Sequence, residues 1–200
     1  MDVVCAYTHA PFRPLKWENR IMAKKRVDTQ IVICGRGGQG ILFLTRLLDE
    51  VALALGIHVI SSETHGMAMR GGSVVSTIRI GTVNSPLIRS GQGDIMIALS
   101  EADVPLHMHL LKKGSARIYM NASGNKPGAI HAEKIAKDLG SAVVTNLVLL
   151  GFCCGHPEFP FEYEIVKNRL EKMSPQAMLD INARALTEGY HAMRKSMHKR

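Results

Sequence analysis

Thr29-Gln30-Ile31-Val32-Ile33-Cys34-Gly35-Arg36-Gly37-Gly38-Gln39-Gly40 is the stretch whose reading decides the fold. Its first half is a short apolar run stopped by glycine, the pattern of a strand buried on both faces. Beyond Gly40 the period changes. From Ile41 to Leu55 apolar residues recur at three- and four-residue spacing, with Arg46, Asp49 and Glu50 on the opposite side and Gly56 placed to cap the end. A strand, a glycine-rich turn and an amphipathic helix make the opening of an α/β unit, in which backbone amides at the helix N-terminus are able to hold an anion.

The rest of the chain extends that unit. Ile57 to Ser61 reads as a second strand, Glu63 to Gly72 as a glycine-rich loop, and Ser73 to Ile80 as a strand with β-branched content, with a turn over Gly81 to Pro86. Asp94 to Leu99 is a further central strand, with a helix expected from Glu101 to Lys113 and a strand from Ala116 to Met120. Residues 130–139 read as helix and Ser141 to Val144 as a short edge or terminal strand. Thr145-Asn146 then caps an apolar helix running towards Cys154. Two helices close the chain, Glu162 to Met173 and Pro175 to about Lys195, the second with Ser174 as its N-cap. The alternation predicts a three-layer, Rossmann-like α/β fold with a mostly parallel sheet and right-handed crossovers. It is expected to occupy 27–195 as a single domain behind a poorly packed N-terminal extension, 1–26. Met22-Ala23-Lys24-Lys25 leads straight into the first strand, so Met22 is read as the natural start.

Two hundred residues with 46% hydrophobic and 21% charged content suffice for one core. The formal charge of +8 would suggest nucleic acid if it lay on the folded part. It does not: residues 1–26 and 191–200 carry +4 each, and 27–190 are neutral. The excess therefore reads as solvated tails, not a nucleic-acid groove; steering of an acidic protein partner is the weaker reading. Cys5, Cys34, Cys153 and Cys154 have no Cys-x-x-Cys spacing and no iron–sulfur ligand run, and read as reduced, buried thiols of a cytoplasmic protein. No apolar stretch approaches the roughly 18 residues that span a bilayer, and residues 1–21 lack the apolar core of a signal peptide.

Gly35, Gly37 and Gly40 satisfy Gly-x-Gly-x-x-Gly between a strand and a helix, and Glu63 lies where a ribose-binding acid would belong. That motif alone is compatible with a stand-alone nicotinamide or flavin dehydrogenase; it is equally compatible with a tight turn in which glycines only permit close packing. The discriminating segment is Glu63-Thr64-His65-Gly66-Met67-Ala68-Met69-Arg70-Gly71-Gly72-Ser73. A dinucleotide site has no need of a second glycine-rich loop with a central cation. Two such loops at the ends of neighbouring strands would form one crevice, with Arg70 able to hold a carboxylate or phosphate, or else to pair with Glu63 and order its own loop.

Together the two loops, with Ser85-Pro86-Leu87-Ile88, Gly93-Asp94 and Thr145-Asn146, resemble the gamma-type subunit of 2-oxoacid:ferredoxin oxidoreductases over about 28–190. The His65-Gly66-Met67-Ala68 form resembles the small subunit of the indolepyruvate type in particular. The resemblance implies the gamma-domain fold and a subunit inactive alone. In the assembled enzyme an aryl 2-oxoacid is decarboxylated on thiamine diphosphate, electrons pass through iron–sulfur clusters to ferredoxin, and an acyl-coenzyme A leaves. Thiamine diphosphate, Mg2+ and the clusters are expected on a large partner subunit, because no thiamine signature or cluster cysteines occur in this chain; coenzyme A is the co-substrate. Gly35, Gly37, Gly38, Gln39, Gly40, Arg70, Gly71 and Gly72 are the expected cofactor-contacting residues. Glu63, His65, Met67 and Asn146 are expected to face the partner, with Asn146 also readable as a plain helix cap. No catalytic or metal-binding residue is expected. Relatives often place an acid directly after the central strand, where this chain has Leu99-Ser100-Glu101. Met67, Met69, Met96, Met108 and Met120 read as core or interface filling, and His107 and His109 as an unsuited ligand pair. The third function class is a phosphate-ligand sensor.

Overall fold

The computed structural model describes residues 28–65, 72–124 and 126–198, with the side chain of His65 excepted. The expected extension, and the loop residues Met67, Met69, Arg70 and Gly71, lie outside the described residues. Six strands form one sheet in the order β2-β3-β1-β4-β5-β6: β1 Thr29–Arg36, β2 Val59–His65, β3 Ser73–Ile80, β4 Ile95–Ala98, β5 Arg117–Asn121 and β6 Ala129–Ile130. β1, β4, β5 and β6 pair in parallel, whereas β3 lies antiparallel between β1 and β2.

The helices are α1 Ile41–Ala54, α2 Val104–His107, α3 Ala132–Asp138, α4 Thr145–Cys154, α5 Tyr163–Met173 and α6 Leu179–Met197. Period decides which face each side chain takes. Ile31 and Ile33 of β1, Ile78 and Ile80 of β3, and Ile95 and Ile97 of β4 point to one face, where α1, α4, α5 and α6 bury them. α4 is apolar all round because it lies between the sheet and α6. That inner position requires glycine: a Cβ on Gly151 would stand 1.9 Å from the Leu186 carbonyl oxygen, and one on Gly189 1.9 Å from that of Val148. Val32, Cys34, Met96 and Ala98 point to the other face, covered by Ile88, Leu111 and the short helical turns of 101–110. The third layer is therefore present but thin.

α1 ends as expected, with Gly56 at φ +68 and the Ile57 N–H donating to Ala52 O at 2.9 Å. Five local expectations are corrected. The helix expected at 101–113 is broken into 3-10 turns around α2, since Pro105 and two histidines leave too short an apolar stripe. Ser141–Val144 is no strand: 142–144 form a 3-10 turn, with Val144 buried against the core and Val143 76% exposed. Thr145 and Asn146 lie inside α4, whose N-cap is Val144, and Asn146 Oδ1 accepts the first-turn Leu147 N–H from within the helix. Ser174 ends α5, its N–H on Leu170 O, and its hydroxyl accepts from Asn182 Nδ2 at 2.9 Å instead of capping α6. Of the methionines read as core or interface filling, Met96 is fully buried and Met108 is 46% exposed, outside the core. Strand two reaches His65, beyond the expected Ser61, so Glu63 is a strand residue. β6 escapes a pattern reading because it has only two residues.

Candidate functional site

β1 sends its chain through α1 to one side of the sheet, and β4 continues to the other. The gap between the C-terminal ends of β1 and β4 is thus the switch point at which an open α/β sheet makes a crevice. A cavity of about 240 Å³ lies there, lined by Gly38 and Gln39 after β1, Leu99 after β4, Asn121 at the end of β5, Glu133 in α3, and Ala142, Val143 and Thr145.

The glycine loop closes largely on itself. The Gln39 side chain folds back: its Oε1 accepts from the Arg36 N–H at 2.7 Å, and its Nε2 donates to Leu99 O at 3.4 Å. The Gln39 N–H donates to Arg36 O at 3.1 Å. Gly35 is required by this fold-back, because a Cβ there would lie 2.6 Å from Gln39 Oε1 and 2.9 Å from Leu99 Cβ. Gly38 and Gly40 stand at φ +93 and +77, the left-handed region open to glycine.

The second loop joins the first. Gly37 N–H donates to Gly72 O at 3.0 Å, so the last residue of the second loop is tied to the turn after β1. The described end of the second loop thus meets the first at one end of the sheet. It does so with a change from the expected geometry: β2 is not the neighbour of β1, because β3 runs between them. Glu63, exposed on β2 opposite Ser76, is therefore two strand spacings from β1, about 10 Å. This displaces the acid that a dinucleotide's ribose would need. The cavity also falls below the roughly 300 Å³ at which small-molecule pockets begin.

Asn146, buried in α4, donates from Nδ2 to Gly40 O at 3.3 Å and accepts the Leu147 N–H at 2.9 Å. It pins the helix to the glycine loop. Asn121 is not singled out by the sequence, since one asparagine ending a strand carries no pattern. It nevertheless donates to the same Leu99 oxygen at 3.3 Å and accepts the Glu133 N–H at 3.2 Å. Glu133 is held below the usual carboxylate range by its hydrogen bond and charge contact with Lys137.

Beside the crevice, Cys34 has no nucleophilic character: burial, aided by the nearby Asp103 charge, pushes its thiol up to about 12. Burial likewise raises Cys153 and Cys154. On the β2 side, Asp49 is raised to about 6, by burial first and by Glu63 and Glu50 next, against a hydrogen bond from the Ser61 hydroxyl at 2.7 Å. Among the described residues no three of His, Cys, Asp and Glu gather as a metal site, and no helix is long and apolar enough to cross a membrane.

Residues 30–192 match the pyruvate ferredoxin/flavodoxin oxidoreductase family. The chain is 32% identical to the indolepyruvate oxidoreductase subunit IorB of Archaeoglobus fulgidus, over 80% of this chain and 93% of that one. It is also 32% identical to subunit IorB of Methanothermobacter thermautotrophicus, over 85% and 100%. Pyruvate oxidoreductase subunit PORC of Thermotoga maritima superimposes with a TM-score of 0.68 at 25% identity, over 82% of this chain and 96% of that one. A keto/oxoacid ferredoxin oxidoreductase gamma subunit of Geobacter sulfurreducens shares the fold with the same TM-score at 23% identity, over 82% and 98%. The chain belongs to the pyruvate ferredoxin/flavodoxin oxidoreductase family, as a small-subunit chain similar to the IorB subunits.

Proposed function

We propose that this chain is the small subunit of a thiamine-dependent 2-oxoacid:ferredoxin oxidoreductase that oxidatively decarboxylates indolepyruvate or other aryl pyruvates. The 2-oxoacid loses carbon dioxide, its acyl group passes to the thiol of coenzyme A, and two electrons leave to ferredoxin. Thiamine diphosphate, Mg2+ and iron–sulfur clusters belong to a larger partner subunit in the cytoplasm, and the small chain is inactive alone. Its folded part is one domain, 27–195, and 1–26 is an extension.

The observation that carries this reading is the Gly37–Gly72 hydrogen bond, in a chain that matches the IorB subunits over most of its length. It ties Gly72, the described end of the second glycine-rich loop, to the turn after β1, on the side of β1 away from β4, and this supports a reading in which both loops meet a partner. Gly38 and Gly40 keep their N–H groups free of partners among the described residues, while the Arg36, Gly37 and Gln39 amides are engaged within the loops. In this reading the first loop shapes the wall, and Glu63, His65, Met67, Arg70 and Gly71 meet the partner. None of these residues makes or breaks a bond. The crevice residues orient and exclude water around chemistry done elsewhere.

Anaerobic co-purification of the tagged chain from its own cells, with indolepyruvate- and coenzyme A-dependent reduction of an electron acceptor then measured, tests the proposal. Capture of a large thiamine- and iron–sulfur-containing chain with that activity is the expected result. A chain that emerges alone, carrying a nicotinamide or flavin nucleotide, would overturn it in favour of the dehydrogenase.

A further inference from the structure

The donor and acceptor inventory of the crevice selects a ligand chemistry. Gln39 and Asn121 both line the cavity, and each directs one N–H of its amide to the same acceptor, the Leu99 oxygen. A primary amide has two such hydrogens, so each keeps one to give. The Gly38 N–H has no partner among the described residues and lies on the same wall. Against these donors stands Glu133, ionised beside Lys137. The remaining lining is Leu99, Ala142 and Val143, with the Thr145 hydroxyl already donating to Ala142 O at 2.7 Å.

No lysine or arginine lines the cavity, and its one charge is negative. A phosphate placed there would find only neutral donors on the lining itself, since the nearest ammonium, Lys137, is already paired with Glu133 at 2.6 Å. A dianionic group is thereby disfavoured in this part of the site, whatever the glycine motif suggests. A secondary amide fits on every count: its oxygen accepts from Gln39, Asn121 or Gly38, its N–H donates to Glu133, and its flanking methylenes lie on Leu99, Ala142 and Val143. At about 240 Å³ the cavity holds a segment of such a chain and not a whole cofactor.

The geometry points to the crevice as a binding site for an uncharged, secondary-amide-bearing chain, with Gln39 and Asn121 as its donors and Glu133 as its acceptor. Two sources have that chemistry: the pantetheine arm of the co-substrate in the function proposed above, on which this inference rests, and a peptide segment of the partner subunit.

The test is a titration of the isotopically labelled full chain, observing the side-chain amide resonances of Gln39 and Asn121. Three probes are used: free pantetheine, a capped tripeptide, and inorganic pyrophosphate. Saturable shifts of both amides with pantetheine or with the tripeptide, and none with pyrophosphate, are expected, and the tighter of the two amide probes names the source. Asn121→Asp, which replaces the donor by an acceptor, should weaken that probe about tenfold. Glu133→Ala, at an exposed position where the fold is not at stake, should weaken it about threefold by removing the acceptor. Shifts with pyrophosphate, no saturable shift with either amide probe, or unchanged affinity in both variants would each overturn the inference. The titration needs no partner, so failed co-purification counts against the proposed function alone, while a failed titration of a chain that does co-purify counts against the crevice assignment alone.

Discussion

The two faces of the sheet are built to different standards. On the helical face Ile31, Ile33, Ile78 and Ile97 are fully buried beneath α1, α4 and α6, and glycines let α4 and α6 approach to backbone contact. On the opposite face a small cluster of Val32, Cys34, Met96 and Ala98 lies under turns that expose Leu87 at 69% and Leu106 at 57%. That thin layer also contains Arg79 Nε, Asp103 Oδ2 and His107 Nε2, half of the six buried side-chain polar atoms without a hydrogen-bond partner among the described residues. The contrast teaches where stability resides: whole helices cover the apolar groups of one face and only short turns those of the other, while each face keeps buried polar atoms without a partner among the described residues, Asp49 Oδ1 and Tyr119 Oη on the helical side.

Mutations that press on this contrast should differ in scale. Leu48→Ala empties a fully buried position on α1 and should cost about 4 kcal/mol, read by denaturant unfolding. Gly189→Ala forces a methyl against the α4 backbone and should cost about 3 kcal/mol in the same experiment, since neither helix has a flexible side chain there to yield. If it costs nothing, the close packing of α4 and α6 is not a constraint.

Asp49 gives a pH-dependent comparison. Its folded value of about 6 exceeds the ordinary 3.8, so between these limits the folded state binds more protons than the unfolded state. The carboxyl's preference for the folded chain is therefore present below about pH 4 and is lost as pH rises through 6. Asp49→Asn should flatten stability across that window and stabilise the chain at neutral pH by on the order of 1 kcal/mol, measured as unfolding midpoints against pH. Smallest of all, Leu87→Ser on the thin face should change stability by no more than about 0.5 kcal/mol; a larger loss would show that this face carries more of the core than its exposure indicates.

Strands with internal pattern are legible in sequence. The β1 run, the α1 stripe ending at Gly56 and the alternation of β3 each carry their own period and appear where the residues put them. What sequence misplaces depends on partners. Ala142-Val143-Val144 has β-branched residues but no strand beside it, so it turns instead. The insertion of β3 between β1 and β2 is written in no local spacing, because pairing order is a tertiary choice. Both glycine loops are visible in the residues, whereas the clamp on the Leu99 oxygen is not. No spacing shows that the Gln39 amide also folds back onto its own loop, and Asn121 gains its role only when β5 lies beside β4.

The reversed strand also bears on how the molecule assembles. β2 and β3 are consecutive and antiparallel, so they can zip together as a hairpin in about 1–10 μs without waiting for any crossover. β1 meets β3 only after α1 and β2 have been traversed, and β4 and β5 dock later still across parallel ladders. The ends of the two strands, His65 and Ser73, would thus be brought together from the earliest stage. Insertion or deletion between His65 and Ser73 would thereby fall outside the paired residues, whose register the ladder itself fixes.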